Sequence, residues 1–291
     1  MFAMSTIFGV LAIFLWGALA LLGNLTKALP AFQLLFMCFF VSFLLLFIKR
    51  LVTKQPLLTL PTLGKAQTII GIVGLFGFHF CYFMALKYAP LIEISLIVYL
   101  WPLLLGVFVA RSEKKINAII GGLVGFIGIV FLISDGSGFT INSQYFLGYL
   151  FAASCALLWS SYSLFMTRFD NHVDDIGWLS LYVAILALLA HIYFEQTVTR
   201  FSLTQTVGIF LLGLGPVGGA FYLWDIALKR GNKTLLASLS FLTPLLSTVL
   251  LVMAQQIHFS WSVLIALAFV LIGAAISNYK CRPRVVNASH L

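Results

Sequence analysis

The side chains that could do chemistry in the apolar parts of this 291-residue chain are few, and most have two readings. His79 lies deep in the charge-free run 66–86, with Tyr82 three residues on and therefore on the same helical face. An ionisable ring at that depth marks a functional site. Alternatively it is a neutral histidine bonded to a neighbouring helix, since no carboxylate lies one turn away. Glu93 follows Pro90 in the first turn of a helix, where the helix dipole favours an acid, or it stands at the mouth of a pathway and meets a cationic group. Asp225 precedes Lys229 by four residues, the favourable order for an intrahelical pair. Tyr99, Trp101, Trp159, Tyr162 and Trp224 add rings with a stacking face and one polar handle. No H-E-x-x-H, P-loop or mid-run carboxylate pair is present, so neither intramembrane hydrolysis nor direct ATP drive is indicated. Cys38, Cys81, Cys155 and Cys281 form no CxxC pair, and no metal, cofactor or disulfide is expected.

The elements that must position these residues are membrane helices. Hydrophobic residues make up 62% of the chain and charged ones 9%, against about 25% charged in a soluble domain. Charge-free runs recur at the length, about 20 residues, that crosses a bilayer as a helix. They predict ten helices, at 4–24, 31–48, 66–86, 91–110, 116–134, 145–166, 176–194, 205–228, 233–254 and 260–279. The 46-residue run 234–279 holds two of them, parted at Gln255-Gln256-Ile257-His258. Of the 17 Lys and Arg residues, 14 fall on the side of the two termini and 3 (Lys27, Lys87, Arg200) on the other, which predicts cytoplasmic termini and an external loop at 135–144. The net charge of +9 is scattered through short loops, whereas a nucleic-acid partner would need it gathered on one face.

The chain repeats itself. The stretch from Tyr82 to Leu104 returns 142 residues later: Ala85-Leu86-Lys87 falls on Ala227-Leu228-Lys229, and Pro102-Leu103-Leu104 on Pro244-Leu245-Leu246. Leu15-Trp16 echoes at Leu158-Trp159, and Ile127-Gly128 at Ile272-Gly273. Two repeats are therefore expected at 4–134 and 145–279, with a cytoplasmic tail at 280–291. Five helices per repeat is an odd number, so the second must enter the membrane from the opposite side, giving an all-α inverted repeat. Pro102 and Pro244 interrupt corresponding helices near mid-membrane, freeing the carbonyls of Val98 and Ser240, and such paired breaks point to a transport site. Pro216, in the Gly-rich stretch 213–219, softens the eighth helix as a third hinge. Glycines at 71, 74 and 77, and at 121, 125 and 128, allow close helix packing. The second helix, rich in Phe and Leu all round, suits a lipid-facing position. Tyr99 and Trp101 are about 200° apart on an ideal helix, so both can face one cavity only if the turn is distorted.

Ile92-Glu93, Tyr99-Leu100-Trp101-Pro102, Trp224-Asp225, Gly231-Asn232-Lys233-Thr234 and Phe241-Leu242-Thr243-Pro244 together resemble the drug/metabolite transporter (DMT) superfamily. The resemblance is closest to the EamA-type bacterial aromatic amino-acid exporters (YddG-like) and spans nearly the whole chain. It implies a monomer-sized basket of ten helices in the bacterial inner membrane, with a cavity lined chiefly by helices 1, 3, 4, 6, 8 and 9. It also implies export of amino acids, aromatic ones included. Relatives more often carry a neutral amide where Asp225 stands, so the resemblance gives that residue no role.

The leading reading is a secondary transporter that moves a small amphipathic solute, an amino acid, outward by alternating access. Its cavity residues would be His79, Tyr82, Glu93, Tyr99, Trp101, Trp159, Tyr162 and Trp224, with hinges at Pro102, Pro216 and Pro244. Its alternatives are a DMT exporter of another metabolite or drug, such as a nucleotide sugar, and an intramembrane enzyme. The second lacks any nucleophile–base or metal constellation.

Overall fold

The computed structural model describes residues 2–134, 142–258 and 260–279, so most of the loop expected at 135–144 and the whole tail from 280 lie outside the described residues. All regular structure among them is helical. In chain order it comprises α1 (Phe2–Gly17), α2 (Leu19–Gly23), α3 (Ala31–Val52), α4 (Lys65–Ile72), α5 (Phe78–Tyr88), α6 (Leu91–Val98), α7 (Trp101–Val109), α8 (Lys115–Ser134), α9 (Phe146–Met166), α10 (Asp175–Phe194), α11 (Leu203–Leu214), α12 (Gly219–Arg230), α13 (Lys233–Leu239), α14 (Leu242–Met253) and α15 (Ser262–Asn278). Among the described residues eight stretches are long and apolar enough to cross a membrane, and α13 with α14 makes a ninth if the bent pair is one span. The last apolar helix, α15, is shorter at 17 residues.

Five of the predicted helices are discontinuous. The first parts at Ala18, between α1 and α2. A π-helical turn, Val73–Gly77, joins α4 to α5. The fourth breaks at Tyr99-Leu100, so that Pro102 occupies the first turn of α7, where its missing N–H costs nothing. The ninth breaks at Ser240-Phe241 with a 41° bend, placing Pro244 in the first turn of α14. One expectation is corrected here: the Ser240 carbonyl is not free, because the Thr243 N–H donates to it at 3.2 Å in the tight turn. The eighth breaks between Leu214 and Gly219. Glycine is required there: a Cβ on Gly218 would lie 1.8 Å from the Gly213 carbonyl oxygen, and one on Gly219 2.2 Å from that of Leu214.

Packing is dominated by pairs that cross the two halves. The helix α8 lies along α15, and α3 along α10. The α8–α15 contact is backbone to backbone, since a Cβ on Gly121 would meet the Gly273 carbonyl oxygen at 2.3 Å. On the third helix the glycine stripe receives side chains: Leu179 at Gly71, Tyr162 at Gly74 and Leu158 at Gly77. The remaining close pairs are α1 with α12, α5 with α9, α7 with α9, and α1 with α14. The lipid-facing expectation for the second helix is also corrected. It buries Phe32, Leu35, Cys38, Phe39 and Leu46, because α10 covers one face and a cavity the next.

Candidate functional site

The breaks in the fourth, eighth and ninth helices converge on one cavity of about 330 Å³. Its wall carries Trp16, Leu19 and Gly23 from α1 and α2, Ala31, Leu34, Leu35 and Cys38 from α3, and Phe78, His79, Tyr82 and Phe83 from α5. Ser95 and Val98 come from α6, and Tyr99 from the break after it. Trp101 comes from α7, Trp159 from α9, Leu212 from α11, Phe221 from α12, Thr243 from α14, and Pro216 and Val217 from the break between α11 and α12. No Asp, Glu, Lys or Arg is among them. Most of these residues lie toward the loops at 24–30 and 88–90, so the cavity occupies one half of the bundle.

Three tryptophans, Trp16, Trp101 and Trp159, floor it, and Trp224 packs behind them. The Trp16 ring meets Trp224 at 5.1 Å, Trp159 at 5.6 Å and Trp101 at 6.3 Å between centroids, edge to face in each case. Trp101 closes the set against Trp159 at 6.2 Å and Trp224 at 6.1 Å. Such edge-on pairs place the positive rim of one ring against the negative face of the next. Two indole N–H groups are spent on holding the floor: Trp16 Nε1 donates to the Pro216 carbonyl at 3.1 Å and Trp224 Nε1 to Ser163 Oγ at 3.2 Å.

His79, Tyr82, Tyr99, Trp101, Trp159 and Pro216 thus meet at one cavity. Tyr99 and Trp101 both reach it because the helix breaks between them. The His79 Nδ1 hydrogen points at the Leu75 carbonyl oxygen, 2.7 Å away in its own helix; a carbonyl only accepts, so Nε2 is the nitrogen left for the cavity. The ring also lies edge-on to Phe39 and Phe78 at 5.4 and 5.2 Å.

Other expected site residues stand elsewhere. Glu93 is not on the cavity wall; its Oε2 accepts from the Tyr149 hydroxyl at 2.5 Å, tying α6 to α9. Tyr162 and Trp224 are buried behind the wall, Tyr162 against Gly74 and Trp159, Trp224 beneath Trp16. Pro102 and Pro244 shape the breaks without lining the cavity. Conversely, Trp16, Phe78 and Phe221 line it and were not foreseen. The signal for Trp16 was available: it shares a repeat position with Trp159, and the two rings meet.

At the far end of the bundle Asp225 and Lys229 form the expected pair, Nζ to Oδ2 at 2.7 Å. A polar cleft on the same end is lined by Arg50, Thr59, Thr62, His172, Asp174 and Asp175 among others. There Asp174 is held by Lys49 and by Arg50 Nε at 2.9 Å, and Asp175 accepts from the Thr62 N–H at 2.7 Å. Burial raises the Asp174 carboxyl, but the two cations outweigh it and hold it below its ordinary value.

The chain matches the EamA-like transporter family twice, over residues 3–134 and 146–279. It is 39% identical, over 96% of its length and 98% of the relative's, to the aromatic amino acid exporter YddG of Ancylobacter novellus. To the protein of the same name from Salmonella typhimurium it is 26% identical over 88% of this chain and 91% of that one. A crystal structure that is 37% identical superposes with a TM-score of 0.89 and covers 96% of this chain and 97% of the other. On its residues, its helices and both matched halves, the chain is a multi-pass membrane protein and a member of the EamA-like transporter family.

Proposed function

We propose that the protein exports aromatic and other net-neutral amino acids across the bacterial inner membrane by alternating access. The observation that carries this reading is a cavity with no charged residue among its described lining, floored by indole rings and bordered by broken helices. A zwitterion of zero net charge can enter such a site without leaving an uncompensated charge buried. Helix ends supply partial charge where side chains do not: α7 and α14 begin at the wall, positive end first, and suit a carboxylate. The indoles and Tyr82, Tyr99 and Phe221 suit a ring. The YddG relatives, named as aromatic amino acid exporters, support the solute class.

The architecture in this reading is ten spans, α13–α14 and α15 being the ninth and tenth, in two inverted repeats at 4–134 and 145–279. The packing supports it. Exchanging each span with the one five places on turns α5–α9 into α12–α1 and α7–α9 into α14–α1, and leaves α3–α10 and α8–α15 as self-related pairs; all six contacts occur. The 14-to-3 charge asymmetry supports cytoplasmic termini, and on that orientation the cavity belongs to the outer half of the bundle. In this reading transport draws on no ATP and one copy of the chain is the working unit. A nucleotide-sugar exporter is disfavoured, since no cationic side chain among the described lining residues could neutralise phosphate.

Purified protein in liposomes, assayed for flux of labelled amino acids and of control nucleotide sugars, tests the reading. Saturable flux of phenylalanine, tyrosine or tryptophan is expected. Flux of the nucleotide sugar alone would overturn it.

A further inference from the structure

The carboxylate of Asp225 is only half used. Its Oδ2 accepts from Lys229 Nζ at 2.7 Å, while Oδ1, buried in a residue 3% exposed, has no hydrogen-bond partner among the described residues. The same Nζ also donates to the Asn171 carbonyl at 3.0 Å, and the Asn171 side-chain Oδ1 is a second buried acceptor without a partner. Each residue that Lys229 Nζ touches thus keeps a buried acceptor with no partner among the described residues, which is costly to leave unmatched away from water. What would best satisfy the Asp225 oxygen is a further N–H donor that carries a positive charge.

The repeat says when such a donor could arrive. On the 142-residue shift that superposes Ala85-Leu86-Lys87 on Ala227-Leu228-Lys229, Tyr82 corresponds to Trp224 and Phe83 to Asp225. Tyr82 and Phe83 line the present cavity. In an inverted repeat the opposite facing state exchanges the roles of the two halves. Trp224 and Asp225, now under the tryptophan floor, would then line the cavity that opens to the other side. The first repeat has no acid at this place, and its Lys87 lies instead over the Phe194 ring at 5.5 Å. The carboxylate is therefore an asymmetric addition on the side from which an exported solute enters.

We propose that Asp225 Oδ1 receives the α-ammonium group of the amino acid in the inward-facing state, with Lys229 holding the other oxygen. This rests on the solute class and inverted repeat of the preceding subsection. It assigns the two faces different chemistry: a carboxylate at the loading side and a wall without charge at the release side. A charge-assisted hydrogen bond to the solute favours loading, and its loss on turning outward favours release.

The test uses the full-length protein in inside-out membrane vesicles, with flux of labelled phenylalanine inhibited by three unlabelled compounds added at the cytoplasmic face. These are L-phenylalanine, phenethylamine, which keeps the ammonium, and 3-phenylpropionate, which lacks it. In Asp225→Asn the concentrations for half inhibition by the first two are expected to rise about 10-fold, while that for 3-phenylpropionate stays the same. The unchanged compound also reports that the variant is folded. Equal shifts for all three, or none, overturn the assignment. Should Asp225→Asn fail to insert, Asp225→Glu is read with the same compounds; a change confined to the two amines supports the proposal and a uniform one sinks it. If the wild-type protein moves no amino acid, the transport reading itself falls and this assignment with it. Amino-acid flux with no selective shift removes only the Asp225 role.

Discussion

Replacing Pro102 by Ala adds a backbone N–H in the first turn of α7, with the Val98 carbonyl four residues before it. The dihedrals between are nearly helical, −67° and 4° at Tyr99 and −68° and −18° at Leu100, so the bond can close with a small adjustment. One intramolecular hydrogen bond is worth about 0.5–1.5 kcal/mol net, which shifts a two-state equilibrium by roughly 2- to 12-fold. Pro244→Ala makes the same offer to the Ser240 carbonyl, but the Thr243 N–H already occupies that oxygen at 3.2 Å. The new bond must share or displace it, so the effect there should sit at the low end. In an inverted repeat the two breaks serve opposite mouths, so the substitutions should bias the protein toward different facing states. Solute binding should survive in both, with turnover slower and Pro102→Ala the slower of the two. Flux in proteoliposomes, together with labelling of single cysteines placed in each mouth, measures both quantities. Wild-type turnover with unchanged labelling in both variants would refute the hinge argument and leave the prolines as static kinks.

Alanine at Tyr82, Tyr99, Trp101 or Trp159 should raise the half-saturating concentration for aromatic amino acids roughly 5-fold per lost ring contact, with the protein still inserted; normal saturation curves for all four would contradict the aromatic site. Asp174→Asn strips the charged partner from Arg50, a residue 4% exposed whose other bonds go to neutral carbonyls, and should cost ~3 kcal/mol at neutral pH. Because the native Asp174 carboxyl is held below its ordinary 3.8, its contribution is present above that value and fades as pH falls further. Thermal melts of wild type and variant should therefore differ at pH 7 and converge in strong acid; a constant gap would contradict the ion-pair reading. Gly273→Leu should separate α8 from α15, since even its Cβ would lie 2.3 Å from the Gly121 carbonyl oxygen, and loss of monodisperse protein on size exclusion checks it.

What the sequence made legible was whatever repeats or is local. Apolar runs located the helices, the paired prolines located the breaks in the fourth and ninth, and the Gly-rich stretch around Pro216 located that in the eighth. The glycine stripe at 71, 74 and 77 announced a close approach without naming Tyr162 and Leu179 as what approaches. Tyr82, Tyr99, Trp101 and Trp159 were found because rings stand out near the breaks. Trp16 was passed over although its repeat partner was chosen, because a single ring on the first helix carries no spacing signal of its own. Glu93 was misplaced for a different reason: its partner, Tyr149, is 56 residues away and belongs to the other half. The uniform Phe and Leu content of the second helix hid its buried faces, since an all-round apolar pattern reads the same against lipid and against α10.

The α3–α10 pair explains how such a chain can bend at its breaks and still hold its shape. At the end proposed to be cytoplasmic, Lys49 and Arg50 of α3 hold Asp174, and Arg50 also ties the following loop through the Leu57 carbonyl at 2.8 Å. At the other end Glu195, just past α10, accepts from the Phe32 and Gln33 N–H groups at 2.9 and 3.1 Å, capping α3. His191 supports that carboxylate at 2.9 Å, and the Gln33 amide pairs both ways with the Val198 backbone. Each lock joins the end of one helix to the start of the other, so under the proposed inverted repeat the two would be images of each other, although none of their residue types match. Sliding α3 past α10 would break both at once. The α8–α15 pair resists sliding differently, through backbones in contact at Gly121 and Gly273. Neither pair contains a break, whereas the fourth, eighth and ninth spans around the cavity all do. Under the proposed cycle the flanking pairs therefore act as the frame, and motion is left to the broken helices that touch the solute.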